Sequence, residues 1–262
     1  MDLTDKRIVL TGAASGIGLA LLERLAALPV HLLAADVNAA ALEAACSRLN
    51  AAPGRVGAFA CDLSTQASVD RLFEHAMQSL GDIDVFIANA GFAYYEQVER
   101  PDWAHLESIF RVNVFNSLYS LEKMQALHGD RPYKMVITAS AMAHIAVPGY
   151  AIYSATKAAV DRFADGYRWQ MADPFRLMLV YPIGTRTGFF SAAGQGVPIP
   201  WPTQTPGAVA GAILEGIRRD RRTVYPSGVF RLVLFLDRFL PMHWLEQKIE
   251  QGRMQKWLAG RK

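Results

Sequence analysis

The segment "RIVLTGAASGIG", Arg7 to Gly18, joins an apolar run to a glycine-rich turn and decides the class of fold. Its first residues have the composition of a buried strand, because the apolar side chains follow one another without polar alternation. Gly12, Gly16 and Gly18 then fall where a helix is expected to begin. Glycines there permit a tight turn and a close backbone approach to a pyrophosphate, whose charge a helix N-terminus favours. The segment therefore predicts a dinucleotide-binding turn, although glycine spacing alone would also suit a plain strand-to-helix turn.

The alternation of strand and helix continues along the chain. Apolar runs without polar alternation predict strands at 7–12, 30–36, 56–62, 84–91, 134–140 and 176–182. Helical patterns follow at 18–28, 38–49, 66–80, 102–127 and 153–171, and the segment 194–207, rich in proline and glycine, is predicted to be irregular. Buried strands that alternate with helices predict an α/β fold: a doubly wound (Rossmann-type) parallel sheet with helices on both faces, in a single domain.

The bulk composition narrows the class of protein. With 262 residues, 52% of them hydrophobic and 19% charged, the chain is predicted to be globular rather than disordered. A net charge of +3 gives no indication of nucleic-acid binding. Two cysteines form neither a disulfide framework nor a zinc cluster, so we expect a cytoplasmic location and no metal. No secretory signal is recognisable, and the longest apolar run, at 229–240, is shorter than the roughly 20 residues that span a bilayer.

An acidic residue ends the second predicted strand. Asp36 follows Gly18 by eighteen positions, a spacing typical of a carboxylate that binds the adenosine ribose of a dinucleotide. Such a carboxylate would repel a 2′-phosphate by roughly 4 kcal/mol at a separation of about 4 Å, for an effective dielectric constant of about 20. The neighbouring Ser15 and Val37 carry no compensating charge, so the sequence predicts NAD(H) rather than NADP(H) as the cofactor.

A tyrosine and a lysine lie four residues apart in the stretch "YSATK", Tyr153 to Lys157. On a helix, both side chains would share one face. Tyrosine titrates at about pH 10 and needs help to exchange a proton at neutral pH, and a neighbouring ammonium favours the phenolate. The pair is predicted to be a general acid/base and the cation that tunes it, whereas a tyrosine on a helix taken alone is usually a packing residue.

Several motifs resemble, in their order along residues 1–190, those of the short-chain dehydrogenase/reductase (SDR) family, classical type: "TGAASGIG", "NAG" (89–91), "RVNVFN" (111–116), "ITAS" (137–140) and "YSATK". The resemblance implies four catalytic residues. Tyr153 would be the acid/base, and Lys157 would favour its phenolate and hold the nicotinamide ribose. Ser140 would orient the substrate oxygen, and Asn113 would hold a water beside the lysine as a proton path.

The resemblance also implies a set of cofactor contacts in the glycine turn, at the strand ends and after the sixth strand. They are Gly12, Ala14, Ser15, Gly16, Ile17, Gly18, Asp36, Asp62, Leu63, Asn89, Ala90, Gly91, Tyr153, Lys157, Pro182, Ile183 and Thr187. The family usually has Pro-Gly where this chain has Pro182-Ile183, with the glycine delayed to Gly184. Because Ile183 does not easily adopt the positive φ open to glycine, the local backbone and the carboxamide contacts are expected to differ there.

The function implied is that of an enzyme, an NAD(P)-dependent oxidoreductase that transfers a hydride between the nicotinamide and a secondary alcohol or ketone. Apolar residues around the predicted site, Met142, Tyr150 and Phe189, favour a hydrophobic substrate. One alternative is a dehydratase or epimerase of the same fold, which would need a larger substrate region. Another is a non-enzymatic dinucleotide sensor, which would need no proton relay. Substrate identity and reaction direction stay open.

Residues 191–262 are predicted to be a substrate-loop and C-terminal helical extension of the single domain 1–262, with residues 1–190 as cofactor-binding and catalytic core. From Arg218 onward 11 Lys and Arg stand against 4 Asp and Glu, a net charge of +7. The apolar segment 227–249 is predicted to be helical, with Arg231 and Arg238 on one stripe. It indicates a lid or an oligomer contact, and a homodimer or homotetramer is expected. Docking on an anionic membrane surface is the less favoured interpretation.

Overall fold

Nine strands make up the sheets of the protein, whose computed structural model describes residues 1–49, 51–99, 102–240 and 242–260. In chain order they are β1 (Arg7–Thr11), β2 (His31–Asp36), β3 (Arg55–Ala60), β4 (Val85–Ala88), β5 (Lys134–Thr138), β6 (Leu177–Val180), β7 (Gly184–Thr185), β8 (Thr203–Gln204) and β9 (Thr223–Val224). Seven of them form one parallel sheet in the order β3-β2-β1-β4-β5-β6-β9, and β7 pairs with β8 separately.

Ten α-helices accompany these strands, and the last two follow β9. They are α1 (Gly16–Ala26), α2 (Ala39–Ser47), α3 (Gln66–Leu80), α4 (Trp103–Phe110), α5 (Asn116–His128), α6 (Ala151–Tyr167), α7 (Phe189–Ala193), α8 (Pro206–Arg218), α9 (Gly228–Leu236) and α10 (Met242–Ala259), counted over the described residues. The long helix predicted at 102–127 is present but divided, because a π-helical turn at Arg111–Phe115 separates α4 from α5.

The sheet is buried on both faces, which explains the uninterrupted apolar runs of its strands. In β1, Ile8 and Leu10 point into a core formed with α1 and α8, whereas Val9 points into a second core formed with α3, α5 and α6. The order of the strands reverses between β1 and β4, which are direct neighbours. The prediction of a doubly wound parallel sheet is confirmed. In such a sheet, ligands bind outside the carboxyl ends of the strands at this reversal.

The sequence analysis missed the seventh strand of the sheet, β9, because it is only two residues long. A buried lysine on β5 fixes the turn that leads into it. The Lys134 side chain, 1% exposed, donates hydrogen bonds to Asp220 Oδ1 at 2.6 Å, to the Arg221 carbonyl at 3.1 Å and to the Phe175 carbonyl. Burial lowers the pKa of Lys134, and the Asp220 carboxylate counteracts this effect.

The C-terminal segment differs from the single helix that the sequence predicts. Helix α9 ends at Leu236, so the expected helical stripe that joins Arg231 to Arg238 is wrong. The chain turns because Asp237 Oδ1 accepts hydrogen bonds from the backbone and the ring of His243, both at 2.8 Å, near the start of α10. The segment 194–207 is irregular as predicted except at its end, where β8 and the first turn of α8 lie. Over the described ranges, every helix is too short or too polar to cross a membrane.

Replacing Asp220 tests the anchoring of β9. Asp220→Ala removes the carboxylate that pairs with the buried Lys134 and places alanine at a φ of 51°. We expect the free energy of unfolding to fall by about 1–3 kcal/mol, because a buried charge loses a hydrogen-bond partner. Asp220→Asn, which keeps an oxygen acceptor and tolerates this φ, should cost less. Urea unfolding measures both. Equal losses in the two variants, or no loss in either, would contradict this role of Asp220.

Candidate active site

The glycine turn after β1 presents the N-terminus of α1 to a cavity of about 740 Å³ at the strand reversal. Gly12 and Gly16 adopt positive φ angles of 68° and 55°, which side chains with a Cβ rarely adopt. Ser15 stands at the helix N-cap without a side-chain capping bond among the described residues. The first N–H groups of α1 are therefore available to an anionic ligand, so the turn fits a diphosphate.

Gly18 and Ala14, two of the predicted cofactor contacts, lie outside the cavity lining. A Cβ on Gly18 would stand 1.7 Å from the Gly12 carbonyl oxygen, so this glycine serves the close packing of α1 on the turn. The Ala14 amide donates a hydrogen bond to Asp36 Oδ2 at 2.9 Å. Both residues thus shape the turn, whereas Gly12, Ser15, Gly16 and Ile17 of the same turn line the cavity.

The Asp36 carboxylate is held at the end of β2 by two backbone amides. Besides the Ala14 amide, the Asn38 amide donates to Oδ1 at 3.0 Å. Asp36 lines the cavity together with Val37, whose side chain is 71% exposed and carries no charge. Other predicted cofactor contacts that line the same cavity are Ser15, Ile17, Asp62, Leu63, Asn89, Ala90, Gly91, Pro182, Ile183 and Thr187.

Asn89 ties together the ends of three strands below the cavity. Its Nδ2 donates to the carbonyl oxygens of Thr11 and Gly12, both at 3.3 Å. The Thr11 hydroxyl accepts bonds from the Asn89 and Ala90 amides, both at 3.1 Å, and the Thr138 hydroxyl donates to Asn89 Oδ1 at 3.3 Å. The glycine turn after β1 is thereby fixed relative to the ends of β4 and β5.

Tyr153 and Lys157 occupy the same face of α6 and both line the cavity. The Lys157 Nζ atom lies 5.6 Å from the centroid of the Tyr153 ring. It donates a hydrogen bond of 2.8 Å to the carbonyl oxygen of Thr138, at the end of β5. The two residues are 8% and 4% exposed. The structure therefore brings the predicted tyrosine and lysine together at the reversal of the sheet.

The expected lowering of the tyrosine pKa is wrong for the free protein. Burial raises the pKa of Tyr153 to about 12, and a hydrogen bond with the Ser140 side chain lowers it only in part. Burial also lowers the pKa of Lys157 to about 8. Both shifts have one cause, since a site of low polarity disfavours the charged form of each group. At neutral pH the phenol of Tyr153 keeps its proton. Lys157 is still mainly an ammonium, but its pKa lies only slightly above neutral pH.

Ser140 lies at the end of β5 and lines the cavity beside Tyr153. Its Oγ accepts a hydrogen bond of 3.1 Å from the Met142 amide, which caps the 3₁₀ turn Ala141–Ala143. This bond fixes the hydroxyl at the cavity surface and leaves its hydrogen for a donated bond, which in the free protein goes to the Tyr153 oxygen. The arrangement places two hydroxyl groups, those of Ser140 and Tyr153, where one oxygen atom of a substrate can meet both.

Asn113 lies in the π-helical turn and is 1% exposed, behind the cavity lining. Its Nδ2 donates to the Phe92 carbonyl at 2.9 Å and to the Thr156 hydroxyl at 3.2 Å, while Oδ1 accepts from the Phe92 amide at 3.1 Å. Both amide hydrogens are thus used within the protein. The side chain positions the loop after β4, and the expected water beside Lys157 stays a prediction.

The segment after β6 accommodates isoleucine where the family usually has glycine. Ile183 lines the cavity and is absent from the residues with positive φ in the described chain. Gly184 is needed for another reason, because a Cβ there would stand 2.5 Å from the Pro200 carbonyl oxygen. Thr187 lies over the glycine turn, with its Cγ2 3.1 Å from where a Cβ on Gly16 would be. The isoleucine at position 183, where the family usually has glycine, therefore does not remove Thr187 from the cavity.

The substrate side of the cavity is largely apolar. Met142 and Phe189 line it as predicted, and the Phe189 ring packs against that of Tyr153 with centroids 5.5 Å apart. The prediction for Tyr150 is wrong. Its side chain is 1% exposed and lies behind the cavity wall, where it packs on Tyr95 and Phe190.

The sequence analysis missed the wall that α9 and α10 contribute. Apolar side chains from both helices line the cavity, among them Phe230 and Val233. Three polar side chains of α10 do so as well, Glu246, Glu250 and Arg253. Arg253 Nη1 lies 2.8 Å from Glu250 Oε1, and burial raises the pKa of both glutamates. Their spacing of four and three residues places them on one side of a helix, a signal that is visible in the sequence.

Comparison with known proteins agrees with this site. The family described as short chain dehydrogenase matches residues 6–197. Epidermal retinol dehydrogenase 2 from Homo sapiens is 28% identical over 92% of this chain and 80% of its own length. A 1-deoxy-11-beta-hydroxypentalenate dehydrogenase from Streptomyces arenae is 38% identical over 66% of this chain, which spans 62% of that protein.

Solved structures share the fold. A short chain dehydrogenase/reductase from Burkholderia phymatum in complex with NAD superposes with a TM-score of 0.80, at 23% identity over 91% of this chain and 95% of the other. A short-chain dehydrogenase from Sphingobium yanoikuyae in complex with NADPH gives 0.76, at 22% identity over 97% and 95%. The sequence match and the shared fold lead to one conclusion: this chain belongs to the short-chain dehydrogenase family, oxidoreductases that act on CH–OH groups with a nicotinamide dinucleotide.

Proposed function

We propose that the protein is an NAD(H)-dependent dehydrogenase that interconverts a hydrophobic secondary alcohol and its ketone. The observation that carries the proposal is the placement of Tyr153, Lys157 and Ser140 between the glycine turn and an apolar cavity. Residues 1–190 would form the cofactor-binding and catalytic core, and residues 191–262 the substrate wall. A homo-oligomer in the cytoplasm remains a prediction.

In this mechanism the dinucleotide, when bound, supplies the hydride acceptor or donor. The Ser140 hydroxyl holds the substrate oxygen by a hydrogen bond. The Tyr153 phenol, protonated at neutral pH, donates its proton to that oxygen during reduction and regains one for the next turnover. The Lys157 ammonium stabilises the phenolate that is left behind, because an opposite charge nearby favours the ionised form. Removal of water by the apolar walls strengthens these interactions.

The cavity lining supports a hydrophobic substrate. Met142, Phe189 and the residues of α9 offer apolar surface in the cavity that Tyr153 also lines. Glu246 and Glu250 stand on the α10 wall with Arg253, which pairs with Glu250, so carboxylates exceed cations there by one and disfavour a substrate with an anionic end. A neutral alcohol or ketone with a hydrocarbon body fits both features.

The acid/base role is tested by removing one hydroxyl. Tyr153→Phe should lower kcat by about 10²–10⁴-fold in both directions, because proton transfer loses its donor. NADH binding, followed by fluorescence titration, should change little. Tyr150→Phe is the matched control, since the buried Tyr150 hydroxyl has no hydrogen-bond partner among the described residues. It should keep full activity. Turnover by Tyr153→Phe comparable with that of Tyr150→Phe would exclude Tyr153 as the acid/base.

The pKa of Lys157 predicts a pH dependence. In the free protein this pKa is about 8, so the ammonium predominates below pH 8 and the neutral amine above it. Since the ammonium stabilises the phenolate, kcat/KM for NADH in ketone reduction should be level near pH 7 and fall about tenfold per pH unit above pH 8. Circular dichroism at each pH checks that the fold persists. A constant kcat/KM from pH 7 to 9.5 would refute the assignment.

The cofactor preference is tested at Asp36. The wild-type protein should use NADH with a kcat/KM at least about tenfold higher than for NADPH, because the carboxylate repels a 2′-phosphate. Asp36→Ser should lower the ratio of kcat/KM for NADH to kcat/KM for NADPH, mainly because kcat/KM for NADPH rises. The control, Asp62→Asn, should lower kcat/KM for NADH and for NADPH by the same factor. A wild-type preference for NADPH would reject the proposal of NAD(H).

A further inference from the structure

The first half of α10 holds a carboxylate against the protein and leaves large apolar side chains exposed. Glu250 faces the cavity and is only 3% exposed, with Arg253 as its partner. Trp244 and Ile249 are 55% and 54% exposed. A helix that covers the core of a water-soluble protein has the opposite arrangement, with its apolar stripe buried. The exposed apolar side chains in this half of α10 are therefore of the kind that a binding partner removes from water.

Helix α9 and the linker after it extend the same surface. Val229, Leu232 and Phe235 recur at three-residue spacing and are each at least 55% exposed. The eight large apolar side chains of this outer apolar face are Val229, Leu232, Phe235, Phe239, Leu240, Trp244, Leu245 and Ile249. Single exposed apolar residues are ordinary on proteins, but a group of this size within 21 consecutive positions marks an interaction site.

The outer apolar face is continuous with the substrate cavity. Val229, Leu245 and Ile249 belong to both, because each lines the cavity and is about half exposed. They therefore form part of the rim where the cavity opens. Whatever contacts the outer apolar face also covers this opening.

The two C-terminal helices and the linker between them also expose four cations. Arg231, Arg238, Lys248 and Lys256 are exposed, and none has a carboxylate partner in the part of the chain that the structure describes. The Lys248 Nζ atom lies 5.9 Å from the centroid of the Trp244 ring. The acidic residues of the segment are engaged elsewhere: Asp237 binds His243, and the two glutamates of α10 line the cavity.

We propose that the outer apolar face docks on an anionic lipid bilayer and that a hydrophobic substrate enters the cavity from it. Apolar and tryptophan side chains next to Lys and Arg are the composition of interfacial helices. A second copy of the chain is a less suitable partner for the outer apolar face than an anionic bilayer. A two-fold contact between two copies would bring the same cations together. The docking stands on surface composition, whereas the entry route rests on the proposed function.

Vesicle sedimentation tests the docking. Wild-type protein should sediment with phosphatidylcholine vesicles that contain phosphatidylglycerol, and less with phosphatidylcholine alone. Leu232→Ser/Phe235→Ser removes apolar surface without touching the cavity lining, and should weaken binding by at least about tenfold. Trp169→Ser, which removes an even more exposed aromatic residue (90% exposed) after α6, is the control for loss of exposed apolar surface elsewhere and should bind like wild type.

The charge contribution is tested separately. Arg231→Gln/Arg238→Gln should abolish the preference for anionic vesicles, and binding of the wild type should fall as salt rises from low to 0.5 M. Arg48→Gln/Arg55→Gln, on exposed positions near β3, is the control and should retain the preference. No sedimentation of the wild type with anionic vesicles at low salt would overturn the docking. So would equal binding by wild type and Leu232→Ser/Phe235→Ser, or loss of a wild-type oligomer in that variant.

Kinetics test the entry route and separate it from the reaction. With a long-chain alcohol dissolved in anionic vesicles, Leu232→Ser/Phe235→Ser should raise KM several-fold at unchanged kcat. With a short water-soluble alcohol it should match the wild type. Equal KM for the vesicle-bound substrate would overturn the entry route even if sedimentation is confirmed. Absence of turnover with every alcohol and ketone in the wild type would instead reject the proposed function and leave the sedimentation result in place.

Discussion

The hydrogen bond from Lys157 Nζ to the Thr138 carbonyl joins helix α6 to the carboxyl end of β5. A buried ammonium requires polar partners, since its desolvation is costly when nothing compensates it. The bond therefore fixes the rotation of α6, and with it the position of Tyr153 one turn earlier. Thr138 is linked through Asn89 to the glycine turn. The proton-transferring groups and the dinucleotide-binding turn consequently share one rigid scaffold of strand ends.

Burial controls the acid–base properties of the site more than the neighbouring charge does. The pKa of Tyr153 is about 12 and that of Lys157 about 8, both displaced towards the neutral form. The same exclusion of water that produces these shifts makes the cavity suitable for a hydrocarbon substrate. A polar, open site would tune the phenol more easily but would also solvate the substrate oxygen. The chemistry and the preference for an apolar ligand thus have a common physical origin.

The C-terminal helices α9 and α10 form the side of the cavity that the sheet and its turns do not. The sheet and its turns serve the cofactor, whereas α9 and α10 close the other side of the cavity. Apolar side chains of both helices line the cavity, and α10 adds Glu246 and Glu250 on this inner side while Trp244 is exposed on the outer side. Such a division is understandable if the inner side meets a ligand with a polar group and the outer side meets lipid. The surface that admits the substrate and the surface that faces the bilayer would then be formed by the same two helices.

Local patterns in the sequence determined the doubly wound class, the glycine turn and the shared face of Tyr153 and Lys157, because strand burial and helical spacing act over a few residues. Only the tertiary structure decided that Tyr150 packs in the core while Tyr153 faces the cavity, since both lie near the start of one helix. The short strand β9 and the position of α10 at the cavity were likewise decided there, although the helical spacing of the polar residues of α10 is visible in the sequence. They depend on contacts between residues far apart in the chain, such as Lys134 with Asp220, which no local periodicity records.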